Sequence, residues 1–231
     1  MNRDDLGMQL PPSVSLVREA EGLTLKGDGL CLRGDFHHLL PRIRPDNLNR
    51  ELLVRAAKFR GLDPDRMLAL DATAGLGEDS FLLAAAGFTV DLYEQDPVIA
   101  ALLADALARA DEDAVLRDIV RRMRFHEGDS VQAMQKIDRE HAPAVIYLDP
   151  MFPERRKSAS VKKKFQLLHR LERPCGEEEE LLRAAIGAGP GRVIIKRPGK
   201  GPVLAGVRPS YTLAGRAVRM DVIVPCEGGM K

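Results

Sequence analysis

The chain of 231 residues is poor in several residue types, and each shortage narrows its class. It has no Trp, only three Cys, and aromatic residues make up 4% of it. Cys31, Cys175 and Cys226 lie far apart, with no paired spacing and no His at a metal-ligand interval. This pattern encodes neither a disulfide framework nor a zinc site. We therefore expect reduced, structural thiols and no bound metal.

Long apolar runs are also missing. No stretch of about 18 apolar residues occurs, and the start of the chain, Met1 to Asp5, lacks the basic-then-apolar order of a secretion signal. We expect a cytoplasmic protein that does not span a membrane. With 45% hydrophobic residues, the chain can bury one full core and carry a small appendage.

Net charge is nearly absent, at +1, but the basic residues are unevenly placed. Local charge density, not the total, attracts a phosphate backbone. A run of charge is more often a solvated surface. One basic set, however, directly follows the segment Asp149 to Phe152, which is described below as a candidate active-site motif, and this set is predicted to bind RNA. That set is Arg155, Arg156, Lys157, Lys162, Lys163 and Lys164, and Lys196 and Arg197 would extend it. A second basic set lies earlier, at Arg42, Arg44, Arg50, Arg55, Lys58 and Arg60.

Residues 1–62 have a different pattern from the rest and are predicted to form a small β-hairpin and helix subdomain. Apolar residues alternate in 23–25 and 30–32 around a glycine-bearing turn, which predicts a hairpin. A helix is predicted from Asn47 to about Phe59, with Gly61 as its C-terminal cap.

Residues 63–231 alternate between strand and helix and are predicted to form a single Rossmann-like α/β domain. Such alternation favours a parallel sheet with helices on both faces. The predicted strands are 67–71, 89–94, 124–127, 145–148 and 193–196, and the predicted helices are 79–86, 97–110 and 131–140. Two further strands, at 211–213 and 220–224, predict an antiparallel pair at the sheet edge.

A glycine loop follows the first of these strands. It runs from Asp71 through Gly75 and Gly77 to a helix opening near Asp79, which allows close approach of a ligand to the backbone. Ser80 occupies the place of the third glycine of a dinucleotide fingerprint. The acidic pair Glu78-Asp79 would also repel a pyrophosphate at the helix start. Acid there suits a cationic or zwitterionic ligand, and S-adenosylmethionine fits that description.

Acidic and polar residues end the next two predicted strands. Glu94 stands 19 residues after Gly75, where a carboxylate can accept hydrogen bonds from ribose hydroxyls in either class of nucleoside cofactor. Asp129 and Ser130 follow the third strand and are predicted to reach the adenine edge. Open α/β sheets bind ligands at their carboxyl edges, so these elements together predict a nucleoside site.

Asp149, Pro150 and Phe152 are the residues that point to a substrate. An exocyclic amine on a base is a poor nucleophile because its lone pair is delocalised into the ring. The Asp149 carboxylate and the Pro150 carbonyl could accept its protons, and Phe152 could stack on the base. From spacing alone, an Asp-Pro strand cap with Phe152 in the core explains the motif equally well.

These motifs resemble those of known amino-methyltransferases. Asp71 to Gly77 is similar to the first motif of S-adenosylmethionine-dependent enzymes, and Asp149 to Phe152 is similar to their Asp/Asn-Pro-Pro-aromatic motif, with Met151 replacing the second Pro. More narrowly, residues 67–200 resemble the ribosomal RNA small subunit methyltransferase J family, through the blocks 71–77, 94–103, 147–153, 157–163 and 193–198.

The resemblance implies a Rossmann-like methyltransferase fold and methylation of N2 of a guanosine in 16S ribosomal RNA, with that RNA or the small ribosomal subunit as partner. It implies cofactor contacts at Glu78, Asp79, Glu94, Gln95, Asp129, Ser130 and Asp149. The chain departs from the family pattern at Glu78, Gln95 and Asp129.

Two other functions stay open at this point. A nicotinamide-dependent oxidoreductase would share the sheet and Glu94, although the missing third glycine disfavours it. A non-catalytic RNA-binding assembly factor would keep the basic set and tolerate loss of Asp149. The sequence gives neither the oligomeric state nor the role of the N-terminal subdomain, and it does not distinguish free RNA from an assembled subunit as substrate.

Overall fold

The computed structural model describes residues 2–3, 9–10, 13–60, 62–63, 67–150 and 178–225. Its twelve described strands are β1 (Asn2–Arg3), β2 (Gln9–Leu10), β3 (Val14–Glu19), β4 (Gly22–Gly27), β5 (Leu30–Leu32), β6 (Leu68–Asp71), β7 (Thr89–Glu94), β8 (Met123–Glu127), β9 (Val145–Leu148), β10 (Arg192–Pro198), β11 (Tyr211–Ala214) and β12 (Val218–Ile223). The described α-helices are α1 (Pro45–Leu48), α2 (Leu52–Ala57), α3 (Glu78–Ala85), α4 (Pro97–Glu112), α5 (Arg117–Val120), α6 (Ser130–Gln135) and α7 (Glu178–Gly187).

Seven strands form the central sheet, in the order β11-β12-β10-β9-β6-β7-β8. Strands β6 to β10 are mutually parallel, and β12 runs antiparallel to both β10 and β11. The predicted parallel sheet and its antiparallel edge pair are therefore confirmed. From β6 the chain moves outward to β7 and β8, then returns to place β9 on the other side of β6. The carboxyl ends of β6 and β9 thus flank the point where strand order reverses, the usual place for a ligand in such sheets.

The sheet is buried on both faces, as predicted. Alternate strand residues such as Ala69 and Tyr147 pack with α2 and α3 on one side, while Leu70 and Ile146 pack with α6 and α7 on the other. Side chains of successive strand residues point to opposite faces, so nearly continuous apolar strands are required.

The N-terminal region contains the predicted hairpin, as β4 and β5, but the sequence analysis missed β3, which completes a three-stranded antiparallel sheet. This sheet packs its apolar side on α4. Asp105 of α4 joins the two, because its carboxylate accepts from the backbone N–H of Leu23 at 2.9 Å and from Arg18 at 2.7 Å. The division of the chain at residue 62 into two units stays a prediction.

The long helix predicted from Asn47 is wrong in detail, because it is broken into α1 and α2. Glu51 has an extended backbone at the start of α2, and its carboxylate accepts two hydrogen bonds from Arg42, at 2.7 and 2.8 Å. The predicted cap at Gly61 lies outside the described residues. The helix predicted over 131–140 also ends early, at Gln135, because Asp138 caps a separate short turn. Helix α4 begins as predicted, with Asp96 accepting from the N–H groups of Val98 and Ile99.

Within the described ranges, no helix has the length and apolar character that a bilayer crossing requires. The cellular location stays a prediction.

Candidate active site at the carboxyl edge of the sheet

The loop between β6 and α3 is held by the buried carboxylate of Asp71. This side chain accepts from the Ser80 hydroxyl at 2.6 Å and from the backbone N–H of Thr73 at 3.1 Å. Burial raises the pKa of Asp71 to about 7, although both hydrogen bonds act to lower it. The Thr73 hydroxyl oxygen accepts from the backbone N–H of Asp149 at 2.7 Å, which ties the loop to the end of β9.

Gly75 and Gly77 both have left-handed backbones, with φ of 54° and 77°. Gly77 directly precedes α3, so two residues with left-handed backbones lie in the turn between β6 and this helix. This conformation explains why glycine occupies both positions. The helix starts one residue earlier than predicted, at Glu78.

Glu94 fastens the same loop to β7. Its carboxylate accepts from the backbone N–H of Gly75 at 2.9 Å and from that of Asp96 at 2.9 Å, one bond on each oxygen. Burial raises the pKa of Glu94 above its ordinary value, and these N–H groups counter part of that rise. Each carboxylate oxygen still has a second lone pair available to a ligand hydroxyl.

The end of β8 contributes Asp129 and Ser130. Asp129 caps α6, accepting from the backbone N–H of Val131 at 2.8 Å, and its other oxygen accepts from the Gln132 amide at 3.1 Å. Ser130 is buried. Because Asp129 accepts from Val131 and Gln132, part of the hydrogen-bonding capacity of its carboxylate is used at the start of α6.

A charged network joins the ends of β9 and β10 to the start of α3. The Lys196 ammonium lies 2.7 Å from Asp79 Oδ2 and 2.8 Å from Asp149 Oδ2. The Tyr147 hydroxyl also donates to Asp79 Oδ2, at 2.6 Å. Burial would raise the pKa of Asp79, but Lys196 and Tyr147 outweigh it and hold that pKa below its ordinary value. For Asp149, burial and the charge of Asp79 raise the pKa, and Lys196 opposes them.

These residues surround a cavity of about 620 Å³. Nine of the ten residues predicted to bind the cofactor line it, together with Pro150 and Lys196. Those nine are Asp71, Gly75, Glu78, Asp79, Glu94, Gln95, Asp129, Ser130 and Asp149. Gly77 is the exception, since it is buried behind the loop. The structure thus brings the predicted set together, while the ligand role of each residue stays a prediction.

Lys196 and Arg197, which are predicted to extend the RNA-binding set, do not lie on an exposed basic surface. Lys196 lies in the cavity between two carboxylates, not on an outer rim. Arg197 is only 1% exposed, and its guanidinium donates to the carbonyl of Pro202 at 2.9 Å. Because Lys196 and Arg197 are successive residues of β10, Arg197 points to the opposite face of the sheet from Lys196. The expectation of an Arg197 surface contact is therefore wrong.

The remaining RNA-binding prediction, at Arg155, Arg156, Lys157, Lys162, Lys163 and Lys164, lies outside the described residues, as does Phe152. The sequence analysis missed several cavity-lining side chains, including Tyr147, Tyr93, His38 and Arg42. Tyr147 was read only as part of an apolar strand. His38 and Arg42 come from the N-terminal region, and no local pattern signals that they return to the cavity.

The lining fits S-adenosylmethionine in size and in charge. Its volume falls within the roughly 300–1,000 Å³ of small-ligand sites. Seven of the described lining residues are carboxylic acids, against the basic side chains Lys196 and Arg42 and the imidazole of His38, so the interior favours a ligand with a sulfonium and an ammonium. Apolar side chains such as Val131 and Leu76 offer a surface for a flat base. A pyrophosphate would meet Glu78 and Asp79 at the helix start, which disfavours a dinucleotide.

Comparison with known proteins supports the same class. A family model described as "Putative SAM-dependent methyltransferase" matches residues 6–225. A crystal structure of a SAM-dependent methyltransferase from Neisseria gonorrhoeae superposes with a TM-score of 0.73 at 32% identity, over 96% of this chain and 87% of that one. The chain is therefore a member of the family of S-adenosylmethionine-dependent methyltransferases.

Comparison with curated relatives identifies the particular family within this class of methyltransferases. A protein of Pseudomonas aeruginosa named ribosomal RNA small subunit methyltransferase J is 47% identical over 167 residues, which are 72% of this chain and 64% of the relative. The protein of that name from Thioalkalivibrio sulfidiphilus is 43% identical over 178 residues, covering 77% and 69%. The match thus spans about two-thirds of the length of these relatives. Within its class, the chain belongs to the ribosomal RNA small subunit methyltransferase J family.

Proposed function

We propose that this protein methylates the exocyclic N2 of a guanosine in 16S ribosomal RNA, using S-adenosylmethionine. The relatives are named for a ribosomal RNA of the small subunit. The observation that carries the proposal is the position of Asp149. It directly follows β9 at the strand-order reversal, its backbone is bonded to the glycine loop, and it lines the cavity.

When bound, the cofactor supplies an electrophilic methyl group. The task of the protein is then to orient the amine and to take up the proton that it loses. Lys196 contacts Oδ2 of Asp149, and we propose that Oδ1 accepts from the substrate N–H. Pro150, next in the chain, offers a carbonyl beside it. Proton acceptance by a positioned carboxylate contributes roughly 10²–10⁴-fold, and orientation supplies much of the rest.

A base in a duplex cannot present its amine to a cavity at a sheet edge, so we expect the target guanosine to be unpaired or extruded. Phe152 is proposed to stack on it, and the basic residues 155–164 are proposed to bind phosphates nearby. Arg50 and Arg55 are exposed and have no partner among the described residues. Arg50 directly precedes Glu51, which lines the cavity, and Arg55 follows it by one helical turn, so both favour a polyanionic substrate.

Mass mapping of ribosomal RNA from cells lacking this protein tests the proposal. We expect one methyl group to be missing from a guanosine of 16S RNA, and wild-type protein to restore it. An Asp149→Asn variant should not restore it, although its binding of S-adenosylmethionine should be measurable by calorimetry. An unchanged methylation map in the deleted strain would overturn the proposal.

The same experiment separates the other two functions. Full restoration of growth by Asp149→Asn without methylation would indicate a non-catalytic assembly factor. Calorimetric binding of NAD in place of S-adenosylmethionine would indicate an oxidoreductase.

A further inference from the structure

Lys196 bridges two carboxylates of the cavity. Its ammonium bridges the same oxygen, Oδ2, of two carboxylates that come from different elements, Asp79 of α3 and Asp149 after β9. Tyr147 completes the cluster through its bond to Asp79. The Lys196 side chain is 28% exposed, and Asp149 is 34% exposed. Two of the three ammonium donors are therefore committed inside the cavity, which leaves little for an RNA phosphate.

We propose that Lys196 is a positioning residue for the proposed methyl transfer: it fixes the carboxylate of Asp149 through Oδ2 and keeps it ionised, so that Oδ1 can accept the amine proton. The inference rests on the proposed function for its role in the reaction, whereas the contact itself does not depend on it. In the step concerned, the carbon–sulfur bond of the cofactor breaks and leaves its electron pair on sulfur. A nitrogen–carbon bond forms, and the proton leaves nitrogen for Asp149, from which it passes to water.

The need for a cation follows from the groups that face Asp149. The carboxyl groups of Asp71, in β6, and of Asp79, in α3, lie near Asp149, and the Tyr147 hydroxyl lies beside Asp79. On β10, Lys196 and the more distant Arg197 supply the positive charge. Like charges in a partly buried site favour the protonated form of one acid. A protonated Asp149 could not accept a proton, so the cation determines whether the base is available.

The geometry also separates this role from simple attraction of RNA. A phosphate-binding lysine lies at the surface and contributes equally to substrates of any sequence. Lys196 instead lines the cavity, and its ammonium contacts the carboxylates of Asp79 and Asp149. Its removal should change how the rate depends on pH, which loss of a phosphate contact would not do.

The test compares the pH dependence of single-turnover methylation in three variants at saturating RNA and cofactor. Lys196→Met removes the cause that lowers the pKa of Asp149, so the acid limb should move to higher pH and the rate near neutrality should fall by about ten-fold or more. Asp79→Asn removes a cause that raises that pKa, so its acid limb should move to lower pH. Tyr147→Phe deletes a bond in the same cluster without altering charge, and its midpoint should remain at the wild-type value.

A second measurement uses the protein without ligands. Carbon-13 NMR titration of Asp carboxylates, with the Asp149 signal assigned by its loss in Asp149→Asn, should show the same opposite shifts in the Lys196 and Asp79 variants. Lys196→Arg keeps the charge and should recover most of the wild-type midpoint.

Two results would overturn the inference. One is an unchanged Asp149 titration in Lys196→Met, and the other is a rate loss that higher RNA concentration fully restores, which would make Lys196 an RNA contact. Absence of any methyl transfer by the wild-type protein would instead refute the proposed function, and the titration would still decide whether Lys196 controls Asp149.

Discussion

Three glycines with left-handed backbones allow the glycine loop to be tested for separate effects on stability and on ligand binding. Gly29 in the N-terminal hairpin has a φ of 72°, and Gly75 and Gly77 have φ of 54° and 77°. Alanine in this conformation costs roughly 1–2 kcal/mol. A methyl group on Gly29 or Gly75 would meet no atom within 4 Å, whereas on Gly77 it would lie 2.8 Å from Leu103 Cδ1 and 3.4 Å from Met123 Cε.

The two neighbouring glycines should therefore respond differently to alanine. Leu103 is fully buried, so Gly77→Ala must displace a packed side chain, and overpacking adds about 1–3 kcal/mol to the backbone cost. We expect Gly77→Ala to lower the free energy of unfolding by about 2–5 kcal/mol, and Gly29→Ala and Gly75→Ala by about 1–2 kcal/mol each. Gly75 lines the cavity, so its variant should also weaken the binding of S-adenosylmethionine, while Gly29→Ala should not.

Urea unfolding followed by far-ultraviolet circular dichroism measures the first quantity, which suits a chain without Trp. Calorimetric titration with S-adenosylmethionine measures the second. Gly29→Ala is the matched control, because it carries the backbone cost alone at a site remote from the cavity. Equal losses of stability in Gly75→Ala and Gly77→Ala, or unchanged cofactor affinity in Gly75→Ala, would refute the reasoning.

Two further predictions concern charge. The pKa of folded Asp71 is raised from 3.8 to about 7, so between these pH values the folded state holds a proton that the unfolded state has lost. The contribution of Asp71 to the free energy of unfolding therefore falls as the pH rises from about 4 to 7, by up to about 4 kcal/mol. Urea unfolding across this pH range should show that the free energy of unfolding falls in wild type and falls less in Asp71→Asn. The same dependence on pH in both proteins would exclude this role of Asp71. Replacing Arg50 and Arg55 with Gln should lower the salt slope of RNA binding by about 1–2, measured by fluorescence anisotropy. Gln at Arg121 and Lys136, which are exposed and do not line the cavity, is the control, and equal slopes in both double variants would contradict a role for the first pair.

Much of this fold could be predicted because its strands are buried on both faces and its helices start with recognisable caps. The boundaries of β7 and β9 agree with prediction to the residue, since each is an apolar run of strand length. Helix α7 was not predicted, although it begins with Glu178, Glu179 and Glu180. Acidic residues in a first turn also stabilise a helix N-terminus, so that run contained a signal for the helix.

The candidate site was predictable where it follows from strand ends. In a parallel sheet all carboxyl ends meet at one edge, so Asp71, Glu94, Asp129 and Asp149 could be placed together from order alone. The contribution of the N-terminal region was not predictable, because His38 and Arg42 reach the cavity through contacts between distant parts of the chain. The side to which Lys196 and Arg197 point depends on strand register, which a short apolar run does not determine.

The way in which each acid of the cavity is compensated explains why a cationic ligand is favoured. Burial raises the pKa of Asp71 to about 7, Glu94 is bonded to two backbone N–H groups, and Asp129 caps a helix. Among the described acids of the lining, Glu51 is paired with Arg42, whereas Asp79 and Asp149 share a single lysine. The lining therefore keeps negative charge after its internal bonds are made. A sulfonium ligand reduces that excess, whereas a phosphate would increase it, so weak binding of dinucleotides follows from the same carboxylates that hold the loop in place.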